Sequence, residues 1–201
     1  MVTSTAYTEA GKNAPAMTPG QTQSFLLNKG DVLQLVSKRS TSPCAAMSSD
    51  QSADYCDLGK KYDLTGSHVV ADHPVVVYGG HSCSFIPYNK WACDHLEEQL
   101  TPLDTWGQKI VVAPTKPYSA SKEPNMWRIV SGTDGNTIEF EPAAVHAPVT
   151  LNAGQYIEFV SGSAFQATAT GRLAIGQFMV GENYINVSMQ DIGDPSLGLG
   201  V

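Results

Sequence analysis

Leu27-Asn28-Lys29-Gly30-Asp31-Val32-Leu33-Gln34-Leu35-Val36-Ser37 is matched further along the chain by Leu151-Asn152-Ala153-Gly154-Gln155-Tyr156-Ile157-Glu158-Phe159-Val160-Ser161. Each copy reads as a turn glycine followed by a strand. Both follow a proline-containing stretch (residues 14–20 and 142–148), and both lead to a second apolar strand (71–79 and 169–180). Any two β-hairpins share a turn and an apolar run. The shared Leu-Asn-x-Gly, with matching residues on either side, favours a duplication instead. The first copy carries an insertion holding Cys44 and Cys56.

Working outward, short apolar or alternating runs rich in Val, Ile, Thr and Phe lie between frequent prolines and glycines. They read as strands near residues 31–36, 69–71, 74–78, 109–113, 127–130, 137–141, 155–160 and 172–180. In residues 137–141, Ile138 and Phe140 share one face, as a half-buried strand requires. Residues 132–136, Gly-Thr-Asp-Gly-Asn, read as a hairpin loop. One stretch departs from the pattern. Residues 94–101 predict a short helix, with Asp94 as cap, Glu97 and Glu98 in the first turn, and Leu96, Leu100 and Leu103 as the buried stripe. The expected fold is all-β: two tandem β-sandwich-like units related by internal duplication, 1–112 and 113–201, with residues 113–125 as the connection. Residues 1–7 then stand for the first strand of unit one, equivalent to 126–131.

The chain has 201 residues, 42% hydrophobic and only 15% charged, with a formal net charge of −7. The surface is therefore largely uncharged polar, and no apolar run is long enough for a membrane-crossing helix. A negative field repels phosphate, which argues against nucleic acid and anionic membrane as partners. The four cysteines, Cys44, Cys56, Cys83 and Cys93, allow three disulfide connectivities. Cys44 with Cys56 and Cys83 with Cys93 is the preferred pairing, because each closes a short loop. The close cysteine and histidine pairs of a zinc site are absent. Disulfides place folding in an oxidising compartment. The start of the chain has neither a basic region nor an apolar core, so the expectation is a segment of a longer precursor.

His81, Asp94 and His95 form the one concentrated polar cluster, and a Cys83 to Cys93 bridge would bring them near each other. Two imidazoles and a carboxylate can bind a metal or act as acid and base in a hydrolase. The preferred reading is structural, with Asp94 capping a helix and the histidines bonded to backbone; no metal, cofactor or catalytic residue is assigned. No Gly-x-Ser-x-Gly elbow occurs, and Gly79-Gly80 has no lysine behind it for a phosphate loop. Asp50, Asp54, Asp57 and Asp63 surround the first cysteine loop, yet their spacing fits no calcium loop. Asn186-Val187-Ser188 is a glycosylation acceptor triplet. The loop between Cys44 and Cys56 is the candidate contact surface, with Tyr55 and Tyr62 as aromatic anchors and Trp91 added from the second cysteine loop.

Residues 63–67 (Asp-Leu-Thr-Gly-Ser), 74–83 (Pro-Val-Val-Val-Tyr-Gly-Gly-His-Ser-Cys), 93–102 (Cys-Asp-His-Leu-Glu-Glu-Gln-Leu-Thr-Pro) and Trp106-Gly107 resemble the N-terminal domain of the IgG Fc-binding protein family. Trp127-Arg128-Ile129, residues 151–154, Gln177-Phe178 and Gly193-Asp194-Pro195-Ser196 also look like that family. The resemblance implies an extracellular or cell-surface setting and an adhesive or binding role. Similar domains occur in large bacterial surface proteins, and the resemblance points to such a member. It also implies that the family domain continues beyond Val201. The expected partner is a host or prey cell-surface protein or glycan; immunoglobulin enters through the family's name alone. A spacer or self-associating fibre module is the alternative.

Overall fold

The computed structural model describes residues 1–40, 43–50, 53–116, 123–185 and 195–201. The fold is all-β, and the strands in chain order are β1 (Val2–Thr3), β2 (Thr22–Gln23), β3 (Ala46–Asp50), β4 (Ala53–Asp57), β5 (His68–Val69), β6 (Tyr78–Phe85), β7 (Cys93–Gln99), β8 (Lys109–Val112), β9 (Asn125–Ser131), β10 (Asn136–Glu141), β11 (Val149–Leu151), β12 (Tyr156–Ser161), β13 (Phe165–Ala169), β14 (Leu173–Met179) and β15 (Leu197–Gly200). Single 3₁₀ turns occur at Lys60–Tyr62 and Leu103–Thr105, and one short helix, α1, at Glu182–Ile185. Among the described residues no helix is long and apolar enough to cross a membrane. The chain divides into two compact units: Met1–Met47 with Cys56–Val75, and Ser48–Tyr55 with Val76–Val201. Residue 112 lies inside the second of these. The acceptor triplet at Asn186 lies outside the described residues.

The second unit contains a β-sandwich. One sheet has the order β11-β10-β13-β8 and the other β12-β9-β14-β15, all pairs antiparallel. Alternation decides the packing. Trp127 and Ile129 of β9 and Leu173 and Ile175 of β14 pack with Ile138 and Phe140 of β10 and Phe165 and Ala167 of β13. Trp127 is fully buried, meets the Phe165 ring edge-on at 5.2 Å, and donates its indole N–H to the Ser161 carbonyl at 3.1 Å. Residues 132–136 are not the expected hairpin loop, because β9 and β10 belong to different sheets. The turn must carry the chain across the core so that Ile129 and Ile138 enter it from both sides. Buried Asn136 holds this crossing: it donates to Ser131 Oγ and the Arg172 carbonyl and accepts from Gly171 N–H.

A second apolar cluster lies against the same unit. Ile86 and Leu96 join Met126 of β9, Phe178 of β14 and Val180. Leu96 belongs to β7, which pairs with β6 as a hairpin. The helix expected at residues 94–101 is therefore a strand. The Cys83–Cys93 disulfide ties the two strands together, and a run this short has too few turns to offset helix nucleation alone. Gly80 permits the close pairing, since a Cβ there would lie 2.5 Å from the Leu96 carbonyl oxygen. Of the expected helical stripe only Leu96 is buried, while Leu100 is exposed.

In the first unit, β1 pairs with both β2 and β5, each two residues long. In place of a sandwich the described residues build a loop-rich structure around buried Val2, Ala6, Ala14 and Met17. Buried Thr8 accepts the Met17 N–H at 2.8 Å, and buried Ser4 donates to the Ala6 carbonyl at 2.7 Å. Residues 31–36 and 74–77, expected as strands, lie in no ladder. Pairing does begin, with Glu9 N–H donating to Val36 O and Lys38 N–H to Tyr7 O. It stops because the chain turns at Gly11, whose N–H donates to Ala14 O. The β3–β4 hairpin is closed at its base by the Cys44–Cys56 disulfide.

Gly80→Ala tests the strand assignment of residues 93–99. The crowding at the Leu96 carbonyl should lower stability by about 1–3 kcal/mol in thermal denaturation of the oxidised chain. An unchanged midpoint would contradict the strand.

Candidate functional site

Asp50, at the end of β3, organises one end of the second unit. Its Oδ2 accepts the Trp91 backbone N–H at 3.2 Å and the Asn183 side-chain amide at 3.4 Å. Lys90 Nζ lies 3.9 Å from Oδ1. The loop before β7 is further held by main-chain bonds, Lys90 N–H to Pro87 O, Gly181 N–H to Ile86 O and Asn183 N–H to Trp91 O. The result is a short loop fixed at both ends and in its middle. Tyr88 and Trp91 project from it with 39% and 44% of their surface exposed. Large aromatic side chains left partly open on a rigid support are suited to binding, because little conformational entropy is lost on contact.

Beneath the loop lies an aromatic stack. Tyr55 of β4 is buried and meets Phe85 edge-on at 5.0 Å, and Phe85 lies 6.0 Å from Trp91. The Tyr55 hydroxyl has no hydrogen-bond partner among the described residues. Burial pushes its phenol above the ordinary value, and the negative charge of Asp50 adds to the shift. Tyr55 therefore supports Trp91 from below. Tyr62, in the first unit, is half-buried with its ring 5.5 Å from that of Tyr7.

His81, Asp94 and His95 are all exposed, on the β6–β7 hairpin. His81 is paired with Leu96, so it shares that residue's face, whereas His95, one position along, points to the other. His81 Nδ1 accepts the Cys83 N–H, Asp94 accepts the His95 N–H, and His95 Nε2 meets Glu97 at 3.3 Å. The two imidazoles are thus directed apart. The other loop carboxylates serve local geometry: Asp54 accepts from Ser49 Oγ, Asp57 from Gly59 N–H and Asp63 from Thr65 N–H. Among the described residues no group of three or more His, Cys, Asp or Glu is placed to hold a metal ion. Asp50, Tyr88, Lys90 and Asn183 were not singled out as one site from the sequence. Asp50 lies 41 residues from Trp91 and 133 from Asn183, so no local pattern joins them.

A disulfide-closed hairpin beside a β-sandwich, with an aromatic loop held open at one end, defines a disulfide-stabilised all-β module. The chain matches the family described as IgGFc binding protein over residues 1–199, and it belongs to that family. It is similar to the human IgGFc-binding protein, with 31% identity over 109 residues, or 54% of this chain. The matched region spans 2% of that relative's length. No solved structure matches the chain.

The orphaned hydroxyl gives a prediction with a sign. Below the ordinary tyrosine pKa, near 10, both folded and unfolded states keep the proton. Above it the unfolded chain ionises first, so the stability tied to protonated Tyr55 falls as pH rises towards the raised folded value. Tyr55→Phe removes the unpaired group. It should raise stability by about 1 kcal/mol at neutral pH and flatten the decline above pH ~10, as read by denaturant unfolding across pH. A less stable Phe variant would show that the hydroxyl has a partner, and an unchanged alkaline decline would show that Tyr55 ionisation does not cause it.

Proposed function

We propose that this chain is a non-enzymatic, extracellular binding module of a secreted or cell-surface protein. Its contact surface is the Tyr88–Trp91 end of the second unit. The observation that carries the reading is Trp91, held by the Asp50 carboxylate through its backbone yet 44% exposed at its side chain. Family membership supports a binding role, and the relative's name makes the immunoglobulin Fc region the first partner to test. Cell-surface proteins and glycans are the others. The disulfides fit an oxidising, extracellular setting. The opposed faces of His81 and His95 weigh against a hydrolase.

A self-associating or spacer role is the second reading, favoured by the apolar exposure of Val75 and Val76. Sedimentation across a concentration series separates it from a monomeric binder.

The binding test uses the oxidised chain against immobilised Fc, with Fab, glycans and cell-surface extracts alongside. Trp91→Ala should weaken saturable binding by at least about tenfold, ~1.4 kcal/mol, while the thermal midpoint stays close to that of the parent. Asp50→Asn should act in the same direction by loosening the loop. No binding to any surface by a folded, monodisperse sample would overturn the proposal.

A further inference from the structure

The two copies of Leu-Asn-x-Gly build the same turn. Asp31 N–H donates to Asn28 O at 3.0 Å and Gln155 N–H to Asn152 O at 2.9 Å. The side chain of the fourth residue returns to the first N–H in both, Asp31 Oδ2 to Asn28 and Gln155 Oε1 to Asn152, each at 2.8 Å. Gly30 and Gly154 sit at φ of 91° and 77°, a region that favours glycine. After the second turn the chain enters β12 and pairs along its length with β9. After the first it runs on through residues 32–35, whose backbone groups join no ladder among the described residues. The same sequence element is therefore paired once and unpaired once.

The unpaired copy is also apolar and accessible. Val32 and Leu26 are 90% and 93% exposed. Beside them lies a groove of about 370 Å³ that sets Phe25, Leu26 and Val32 beside polar Asn13, Gln23 and Ser24, and most of its accessible wall is polar. An open strand edge with exposed apolar side chains and a groove of mixed lining alongside is an arrangement that accepts an added strand: main-chain bonds supply affinity, and the groove selects alternate side chains.

We propose that residues 32–35 take up an extended strand from a partner protein, apolar at alternate positions and flanked by acidic residues. The β9–β12 pairing supplies the template for its register: Val130 opposite Tyr156 and Trp127 opposite Phe159 correspond to partners of Val32 and Leu35, and the added strand stops short of Val36, whose carbonyl accepts the Glu9 N–H. Charge selects the flanks: Lys29, Lys38 and Arg39 border the edge, against Asp31 at its start and Glu9, whose carboxylate accepts the Arg39 N–H. A second copy of the chain is a poor occupant. Its own lysines meet the same positive border, and its β9 is held between β12 and β14. This surface lies in the first unit and does not depend on the Trp91 reading.

The probe is a synthetic peptide carrying the sequence of residues 126–130, Met-Trp-Arg-Ile-Val, with two glutamates added at each end. It is titrated into the whole oxidised chain by calorimetry, with hydrogen exchange on the same samples. Saturable binding is expected, with new amide protection within residues 32–35. At least tenfold weaker binding is expected for the version flanked by lysines. The double variant Leu26→Ser and Val32→Ser should also lose at least tenfold. Both positions are at least 90% solvent-exposed, so its thermal midpoint should stay unchanged. Equal affinity for the two peptides, an unaffected double variant, or protection elsewhere would overturn the proposal. So would a chain dimer that the double variant dissolves, since that would give the edge to a second copy.

Discussion

The second unit depends on the burial of Trp127 between two antiparallel sheets. Its ring is fully enclosed, packed edge-on against Phe165, and its N–H is satisfied by a backbone carbonyl. A side chain of this size buries on the order of 200 Å² when enclosed, which makes it the largest single contribution to such a core. The requirement to face Trp127 and Ile129 with Ile138 and Phe140 sends the chain from one sheet to the other at residues 132–136. Asn136 secures that crossing with hydrogen bonds, so a polar residue can stay buried at the sheet margin.

Once the inner face is filled, the outward residues Met126 and Phe178 still need cover, and Ile86 and Leu96 provide it. This second layer links architecture to function. The hairpin that supplies Leu96 also carries the loop with Tyr88 and Trp91, and the disulfide, the Gly181 bond and the Asp50 carboxylate fix that loop. Those bonds tie the loop's backbone down while Tyr88 and Trp91 stay partly exposed.

Features set by local chemistry could be read from the sequence. Alternation in residues 137–141 marked β10, and the short loops marked both disulfides. The Leu-Asn-x-Gly turns were visible because glycine and a following side-chain acceptor suffice to define them. Residues 94–100 were misread because Asp94, Glu97 and Glu98 imitate the charge pattern of a helix start. What makes them a strand, Gly80 against the Leu96 carbonyl, lies on another segment. Long-range geometry hid the candidate site as well. Asp50 reads as one acidic residue among several, and only folding brings it to Trp91 and Asn183. Tyr55 reads as a contact residue but is enclosed against Phe85.

The most direct measurement is amide hydrogen exchange on the oxidised chain, alone and with saturating immunoglobulin Fc. The account predicts added protection concentrated in residues 86–95, with the amides of β9 and β14 unchanged. Protection confined to other segments would contradict the proposed contact surface at the Tyr88–Trp91 loop, and exchange identical with and without Fc would contradict Fc as the partner proposed for it.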